Sequence, residues 1–271
     1  MDRYKRLLGE EWNIIPAGGL TGEAYVAEKQ NKRLFLKRNS SPFLAVLSAE
    51  GLVPKLIWTK RMENGDVVTA QEWIEGRALF REEMQDTVVA NLIYKIHHSS
   101  ELLYMLRRMG QEFIPANVRL HSLKAYAKSQ QMDEEYNIVK QTLRELTDEL
   151  PILNEEKQVV CHGDLNHNNL IKSIDNEIYL IDWDNTRIAD PLSDIAIILE
   201  NYVPMSNWSD WLKQYGYTLN RALFDKIFWY IKADVIYYIL WSRKHNRMDY
   251  LDKCLKKLDD LNIQSKQSIF F

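Results

Sequence analysis

An aspartate followed five residues later by an asparagine, with a second acid thirteen residues beyond that, is the most chemically loaded spacing in the chain. The first part reads Val159-Val160-Cys161-His162-Gly163-Asp164-Leu165-Asn166-His167-Asn168-Asn169. Apolar residues lead into a tight loop that displays Asp164 and then Asn169. The second part, Tyr179-Leu180-Ile181-Asp182-Trp183-Asp184, is a strand ending in acids. Metal-assisted phosphoryl transfer needs this set of groups. One carboxylate orients the attacking hydroxyl and takes its proton, while an amide oxygen and a second carboxylate hold Mg²⁺ on the phosphates. Hard oxygen ligands suit Mg²⁺, which keeps several of its waters. Taken singly, Asp164 could cap a helix and Asp182 could be a solvated strand-end acid; the combined spacing favours the metal reading. Asp184 stays open between a role beside the metal or acceptor and plain solvation.

Two further groups bear on the same chemistry. Ala17-Gly18-Gly19-Leu20-Thr21-Gly22 joins the first two expected strands, and its glycines let backbone N–H groups approach phosphate closely. The segment is neither a Walker loop nor a strict Gly-x-Gly-x-x-Gly, and on its own it reads equally as a turn. His97 and His98 close an apolar helical stretch, where packing or solvent exposure is the expected role. Cys161 reads as a small buried residue.

The elements around these residues follow from pattern. Trp12 to Pro16, Ala24 to Glu28 and Arg33 to Arg38 read as strands, as do Leu56 to Lys60 and Val67 to Gln71 around an Asn64-Gly65 hairpin turn. Ser41-Pro42 opens a short helix that runs to about Glu50 before Gly51. From Asp86 to Met109 apolar residues recur at helical spacing, predicting one helix. Leu120 to Gln130 and Asn137 to Leu150 read helical, short strands fall near 158–162 and 177–182, and the chain is helical again from Ser193 to about 261. The expected architecture is therefore α+β: a small β-rich lobe over residues 1–75 and a larger helical lobe over 76–271. The border falls at 72–76, the catalytic loop at 161–169 and the metal motif at 181–184.

Composition narrows the class. The chain has 271 residues, long enough for one large domain or two lobes. Its 8 Trp, 14 Tyr and 8 Phe exclude a disordered chain. A net charge of −3 gives no bulk attraction to nucleic acid or anionic membrane. The two cysteines, Cys161 and Cys254, are too few for a disulfide scaffold or a zinc site and fit a reducing compartment. Met1 to Glu11 is charged throughout, unlike an export signal, and no apolar run approaches a membrane span. The cytoplasm is the expected location.

His-Gly-Asp-Leu-x-x-x-x-Asn followed by Ile-Asp-Trp-Asp resembles the aminoglycoside phosphotransferase and choline/ethanolamine kinase group, and the lobe order extends the resemblance over most of the chain. The compact length and the string Tyr179 to Asp184 look closest to the CcrZ-type (YtmP-type) cell-cycle regulator kinases of Gram-positive bacteria. The resemblance implies a bilobal protein-kinase-like fold with ATP and Mg²⁺ as cofactors. By position it implies that Asp164 is the catalytic base, that Asn169 and Asp182 are metal ligands, and that Lys37 binds phosphate with Glu50 as its partner. It also implies that the backbone at Glu72 and Trp73 meets adenine, that Gly18, Gly19, Thr21 and Gly22 cover the nucleotide, and that His162 and Asp194 brace the loop.

The acceptor is expected between the loop and the C-terminal helices, with Asn166 and His167 offering neutral hydrogen-bonding groups. Residues 202–241 hold 12 aromatics, three acids (Asp210, Asp225, Asp234) and four bases (Lys213, Arg221, Lys226, Lys232). A polycationic aminoglycoside calls for a more acidic wall. A neutral polyol such as ribose or 2-deoxyribose is the expectation, and it is what the closest resemblance implies. An amino alcohol is the alternative, since Trp208, Trp211 or Trp229 could cage a quaternary ammonium. A second class stays open: a nucleotide-sensing regulatory protein that contacts division or replication proteins.

Overall fold

The computed structural model describes residues 2–17, 24–151 and 157–266. The loop residues Gly18, Gly19, Thr21 and Gly22 lie outside the described residues. The strands in chain order are β1 (Asn13–Pro16), β2 (Ala24–Lys29), β3 (Lys32–Arg38), β4 (Leu56–Arg61) and β5 (Val67–Glu72). They continue as β6 (Gly76–Ala78), β7 (Val159–Cys161), β8 (Leu170–Ser173), β9 (Ile178–Leu180) and β10 (Arg187–Ala189). The helices are α1 (Asp2–Leu8), α2 (Phe43–Ala49), α3 (Thr87–His97), α4 (Ser100–Arg108), α5 (Ala116–Ser129) and α6 (Met132–Glu135). They continue as α7 (Asn137–Asp148), α8 (Leu192–Tyr202), α9 (Trp208–Tyr215), α10 (Arg221–Lys244) and α11 (Met248–Gln264).

Contacts divide the chain into two compact units, Met1–Leu79 with His167–Asp184, and Phe80–Asn166 with Asn185–Phe271. This differs from a single border at 72–76. The segment 167–184 joins the first unit because β6 pairs with β8, and β8 with β9, in one antiparallel sheet. The chain thus changes unit between Asn166 and His167, within the loop that carries both Asp164 and Asn169.

The first unit is built on an antiparallel sheet in the order β1-β2-β3-β5-β4. Its core is Tyr4, Ile14, Ala27, Leu36, Val68 and Ala70. Alternation along β3 sends Leu36 into this core and leaves Lys37 on the opposite face. Helix α1 is an element the sequence reading did not assign: Tyr4 is buried and its ring lies 4.6 Å from that of Tyr25. The charges of this segment hide one apolar face.

The second unit is helical apart from the small β7–β10 pair. The predicted Asp86–Met109 helix is two helices. Ser99 stands in extended backbone and its hydroxyl accepts the Leu102 N–H at 3.2 Å, capping α4 and ending the run of α3. Helix α10 is the spine: Phe224, Ile227, Phe228, Trp229, Ile231, Ile236 and Ile239 are all buried.

Gly76 marks the tightest approach in the β6–β8 pairing. A Cβ there would stand 2.3 Å from the Lys172 carbonyl oxygen, which is backbone and must move as a whole. Gly76→Ala should therefore cost about 1–3 kcal/mol, the usual penalty for overpacking. For a chain of this size that lowers the thermal midpoint by roughly 2–4 °C per kcal/mol. Differential scanning calorimetry checks it; an unchanged midpoint would show that β6 and β8 do not need this contact.

Candidate active site

In the first unit the hairpin of β8 and β9 sets the geometry. Leu170 pairs with Leu180, so the residues just outside the pair, Asn169 and Ile181, face each other. The Ile181 N–H donates to the Asn169 carbonyl at 2.8 Å, and the Leu180 N–H donates to the Leu52 carbonyl at 2.8 Å. Asn169, buried, and Asp182 are thereby held at one end of one hairpin. Asp182 sits in left-handed backbone at φ 64°, uncommon for a non-glycine residue. Trp183 anchors the turn: its Nε1–H donates to the Leu180 carbonyl at 2.7 Å and its ring packs edge-on against Phe43.

Lys37 reaches the same acids from β3, where it pairs with Ala24 and Thr69. Its Nζ lies 3.0 Å and 3.1 Å from the Asp184 oxygens and 3.4 Å from Asp182 Oδ1. The two carboxylates keep 50% and 62% of their surface exposed. Exposed pairs of this kind contribute about 0–1 kcal/mol, so Lys37 can pass to a phosphate oxygen at little cost.

In the second unit the loop after β7 is held by one carboxylate. Asp194, at the start of α8 and fully buried, accepts the His162 N–H at 2.7 Å and the Gly163 N–H at 2.9 Å. His97 Nε2 lies 3.2 Å from the same Oδ2, and His97 Nδ1 is 2.7 Å from the Tyr215 hydroxyl. Burial pushes the Asp194 carboxyl up. The hydrogen bond with His97 and the nearby His97, His162 and Arg187 outweigh it and hold the carboxyl below its ordinary value. Gly163 has φ 81°, and a Cβ there would meet the Asn185 carbonyl oxygen at 2.5 Å and Arg187 Nη1 at 2.8 Å. His162 is fully buried and its Nδ1 accepts the Asp164 N–H at 3.3 Å. Asn166 Nδ2 donates to Asp164 Oδ1 at 3.2 Å and fixes the direction of that carboxylate.

The other expected positions are placed as follows. Glu50 is the C-cap of α2, its N–H donating to the Val46 carbonyl, while Lys37 pairs with Asp182 and Asp184. The Glu72 N–H donates to the Lys55 carbonyl at 2.8 Å. Trp73 buries an indole N–H that has no hydrogen-bond partner. His167 opens a short 3-10 turn that ends at Asn169.

Sequence reasoning missed His97 and Tyr215 as supports of the loop, and it gave no role to Arg119 or Arg187. The signal for His97 was a polar residue on the buried face of α3 beside Ile96. The Asp234 carboxylate pairs with Arg119, and burial raises it above its ordinary value although Arg119 and Arg187 pull it down.

A carboxyl held below its ordinary value stabilises the fold above the unfolded value, 3.8, and that contribution is lost as pH falls through the lower folded value. Acid should therefore weaken the wild type on this account. Asp194→Asn should be less stable at neutral pH and show a flatter decline in acid. Urea unfolding midpoints across the acid range test this; parallel wild-type and variant curves would contradict it.

The sequence matches the phosphotransferase enzyme family (APH) over residues 14–226. The fold is similar to the choline kinase LicA from Streptococcus pneumoniae, with TM-score 0.67, 20% identity and 96% of each chain covered. It is similar to a choline/ethanolamine kinase family protein from Mesorhizobium loti, with TM-score 0.63, 15% identity, and 96% of this chain and 93% of that chain covered. It is also similar to wild-type aminoglycoside 2'-phosphotransferase-IIIa in its GDP complex, with TM-score 0.71, 12% identity and 97% of each chain covered. The fold is thus protein-kinase-like, with an antiparallel sheet in the N-terminal region and helices in the C-terminal region. The chain belongs to the phosphotransferase enzyme family and is a small-molecule phosphotransferase, a kinase that transfers phosphate to a hydroxyl.

Proposed function

We propose that this protein is an ATP- and Mg²⁺-dependent kinase that phosphorylates a hydroxyl of a small neutral polyol, with ribose or 2-deoxyribose as the leading candidates. The observation that carries the reading is the hairpin end where Asn169 and Asp182 stand together, with Lys37 on the carboxylates of Asp182 and Asp184. The donor set there is an amide and carboxylates, all hard oxygens, which fits Mg²⁺. Asn169 and Asp182 would hold the ion, and when bound it neutralises charge on the phosphates.

The chain's own residues have distinct tasks. Lys37 gives up its exposed acids and binds phosphate oxygens of the nucleotide. Asp164, aimed by Asn166, accepts the proton of the acceptor hydroxyl. That oxygen bonds to the γ-phosphorus, the bond from the γ-phosphorus to the β–γ bridging oxygen breaks, and its electron pair leaves with ADP. His162 keeps the loop in shape, its Nδ1 engaged by the Asp164 N–H.

The acceptor class rests on what surrounds α10. Trp208, Trp211 and Trp229 keep 3%, 2% and 1% of their surface, so none can cage an ammonium ion arriving from solvent. Trp208 and Trp229 also spend their indole N–H groups on the Val203 and Leu146 carbonyls. That removes the tryptophan support for an amino-alcohol acceptor and favours the polyol. A role in bacterial cell-cycle control, with division or replication proteins as partners, rests on the resemblance of Tyr179–Asp184 to the CcrZ-type kinases. A cytoplasmic site of action is supported by Cys161 and Cys254 being free thiols. Among the described residues no helix is long and apolar enough to cross a membrane.

Asp164→Asn keeps the shape of the side chain and removes the proton acceptor. Phosphoryl transfer should fall about 10²–10⁴-fold, the usual share of a general base, with ATP affinity unchanged. Turnover within threefold of wild type would mean that Asp164 is not the base. Asp182→Ala should lose Mg²⁺-dependent nucleotide affinity together with activity, and Asn169→Ala should weaken binding less because the lost ligand is neutral. Nucleotide titrations with and without Mg²⁺ decide this; an Asp182→Ala variant that binds Mg·ATP like wild type overturns the metal assignment.

A further inference from the structure

The side chain in the helical unit with the least satisfied chemistry is Asp234. It projects from the middle of α10, one oxygen paired with the Arg119 guanidinium of α5. Its other oxygen, Oδ2, is buried and has no hydrogen-bond partner. Leaving a buried acceptor unsatisfied costs about 1–3 kcal/mol, which a fold tolerates where a ligand supplies the donor. Arg119 and Asp234 each keep 16% of their side-chain surface exposed.

The surroundings are those of a recognition site. Tyr230, Asp234 and Tyr238 are four residues apart along α10 and line one face of it. Arg119 lies over the Tyr230 ring, its guanidinium carbon 5.6 Å from the centroid. Tyr238 is more than a third exposed. Arg187, whose Nη1 would stand 2.8 Å from a Cβ on Gly163, pulls the Asp234 carboxyl down. Burial pushes the Tyr238 phenol up, and the carboxylates of Asp234 and Asp164 add to it.

We propose that the Arg119–Asp234 pair, with Tyr238 beside it, is the acceptor-recognition site and selects a neutral polyhydroxyl compound over a cationic one. This rests on the kinase reading above. Asp234 Oδ2 takes a hydrogen bond from one acceptor hydroxyl, the guanidinium donates to the oxygen of a neighbouring one, and the phenol ring of Tyr238 covers an apolar face of the carbon chain. The same pair discriminates against an ammonium ion. Arg119 already neutralises Asp234 and already occupies the face of Tyr230 on which a cation would sit. A site built to pair hydroxyls strongly rejects compounds that lack them.

The test compares wild type with Asp234→Asn and with Arg119→Lys, which keeps the charge but loses the planar fork. The probes are D-ribose, 2-deoxyribose, choline and kanamycin, followed by steady-state transfer from Mg·ATP and by saturation-transfer NMR for binding without turnover. Circular dichroism melts and ATP affinity confirm that each variant is folded. Tyr238→Ala, which removes the covering ring at a partly exposed position, serves if Asp234→Asn does not fold, and it should raise the pentose KM about threefold. Wild type should prefer a pentose, and Asp234→Asn and Arg119→Lys should each raise its KM at least about tenfold with the KM for ATP unchanged. Unchanged pentose KM in the folded variants overturns the proposal, as does a wild-type preference for choline or kanamycin. If no probe is phosphorylated while ATP still binds, the kinase reading fails separately. The NMR arm then decides alone: pentose binding lost in the variants supports the site, and pentose binding retained, or absent from wild type, overturns it.

Discussion

One carboxylate, Asp194, sets the shape of the loop on which the chemistry depends. A tight turn that displays an acid must find acceptors for the N–H groups it takes out of the strand, and a buried N–H without one is costly. Asp194 takes two in succession, from His162 and Gly163, just before Asp164. The same carboxylate contacts His97 at 3.2 Å, and His97 is itself fixed by Tyr215. The support therefore runs through three helices, α8, α3 and α9, before it reaches the loop. Cys161 belongs to the same buried cluster: its thiol donates to the Asp190 carbonyl and takes a bond from Ser193, and burial pushes it well above its ordinary value. A thiol so held is packing, not a nucleophile.

The charges in the two units answer to opposite demands. Asp194 is buried and locked, because a support that moved would lose the loop. Asp182 and Asp184 are exposed and loosely paired with the part-buried Lys37, as the proposed exchange of partners on nucleotide binding requires. A buried version of the Lys37 pair would be expensive to break. Screening by solvent keeps that cost near 1 kcal/mol or below. Asp234 falls between these cases, its side chain 16% exposed and its unmatched oxygen buried.

The local grammar of the chain made much of this legible. The five strands of the first sheet, the short helix after Pro42 and the loop with Asp164 and Asn169 were all readable from turn residues, alternation and spacing. Those signals live within a few residues of one another. The break at Ser99 was harder, since a serine inside an apolar period reads as a solvent-facing helix residue until its extended backbone reveals a cap. Helix α1 was hidden for the converse reason, its few buried positions being outnumbered by charges. The unit boundary was misplaced because β6 and β8 are too short to announce themselves and are about ninety residues apart in sequence; only their pairing assigns 167–184 to the first unit.

The same separation explains why the residue pattern of the loop could be read and the Arg119–Asp234 pair could not. Asp164 and Asn169 are related by one loop, and Asp182 by the hairpin that follows, so their spacing in sequence is their spacing in space. Arg119 and Asp234 lie 115 residues apart, on helices brought together only by packing of α5 on α10. In sequence, Asp234 is one of three acids in an aromatic-rich stretch, and most aromatics there are core. Counting charge along 202–241 treats Lys232, buried against Glu145, as equal to Asp234 beside the Arg119 guanidinium. What sets acceptor charge is the balance at the few groups a ligand can touch. At Arg119 and Asp234 that balance is one positive and one negative charge, a pattern that hydroxyls can satisfy on both sides and a lone cation on only one.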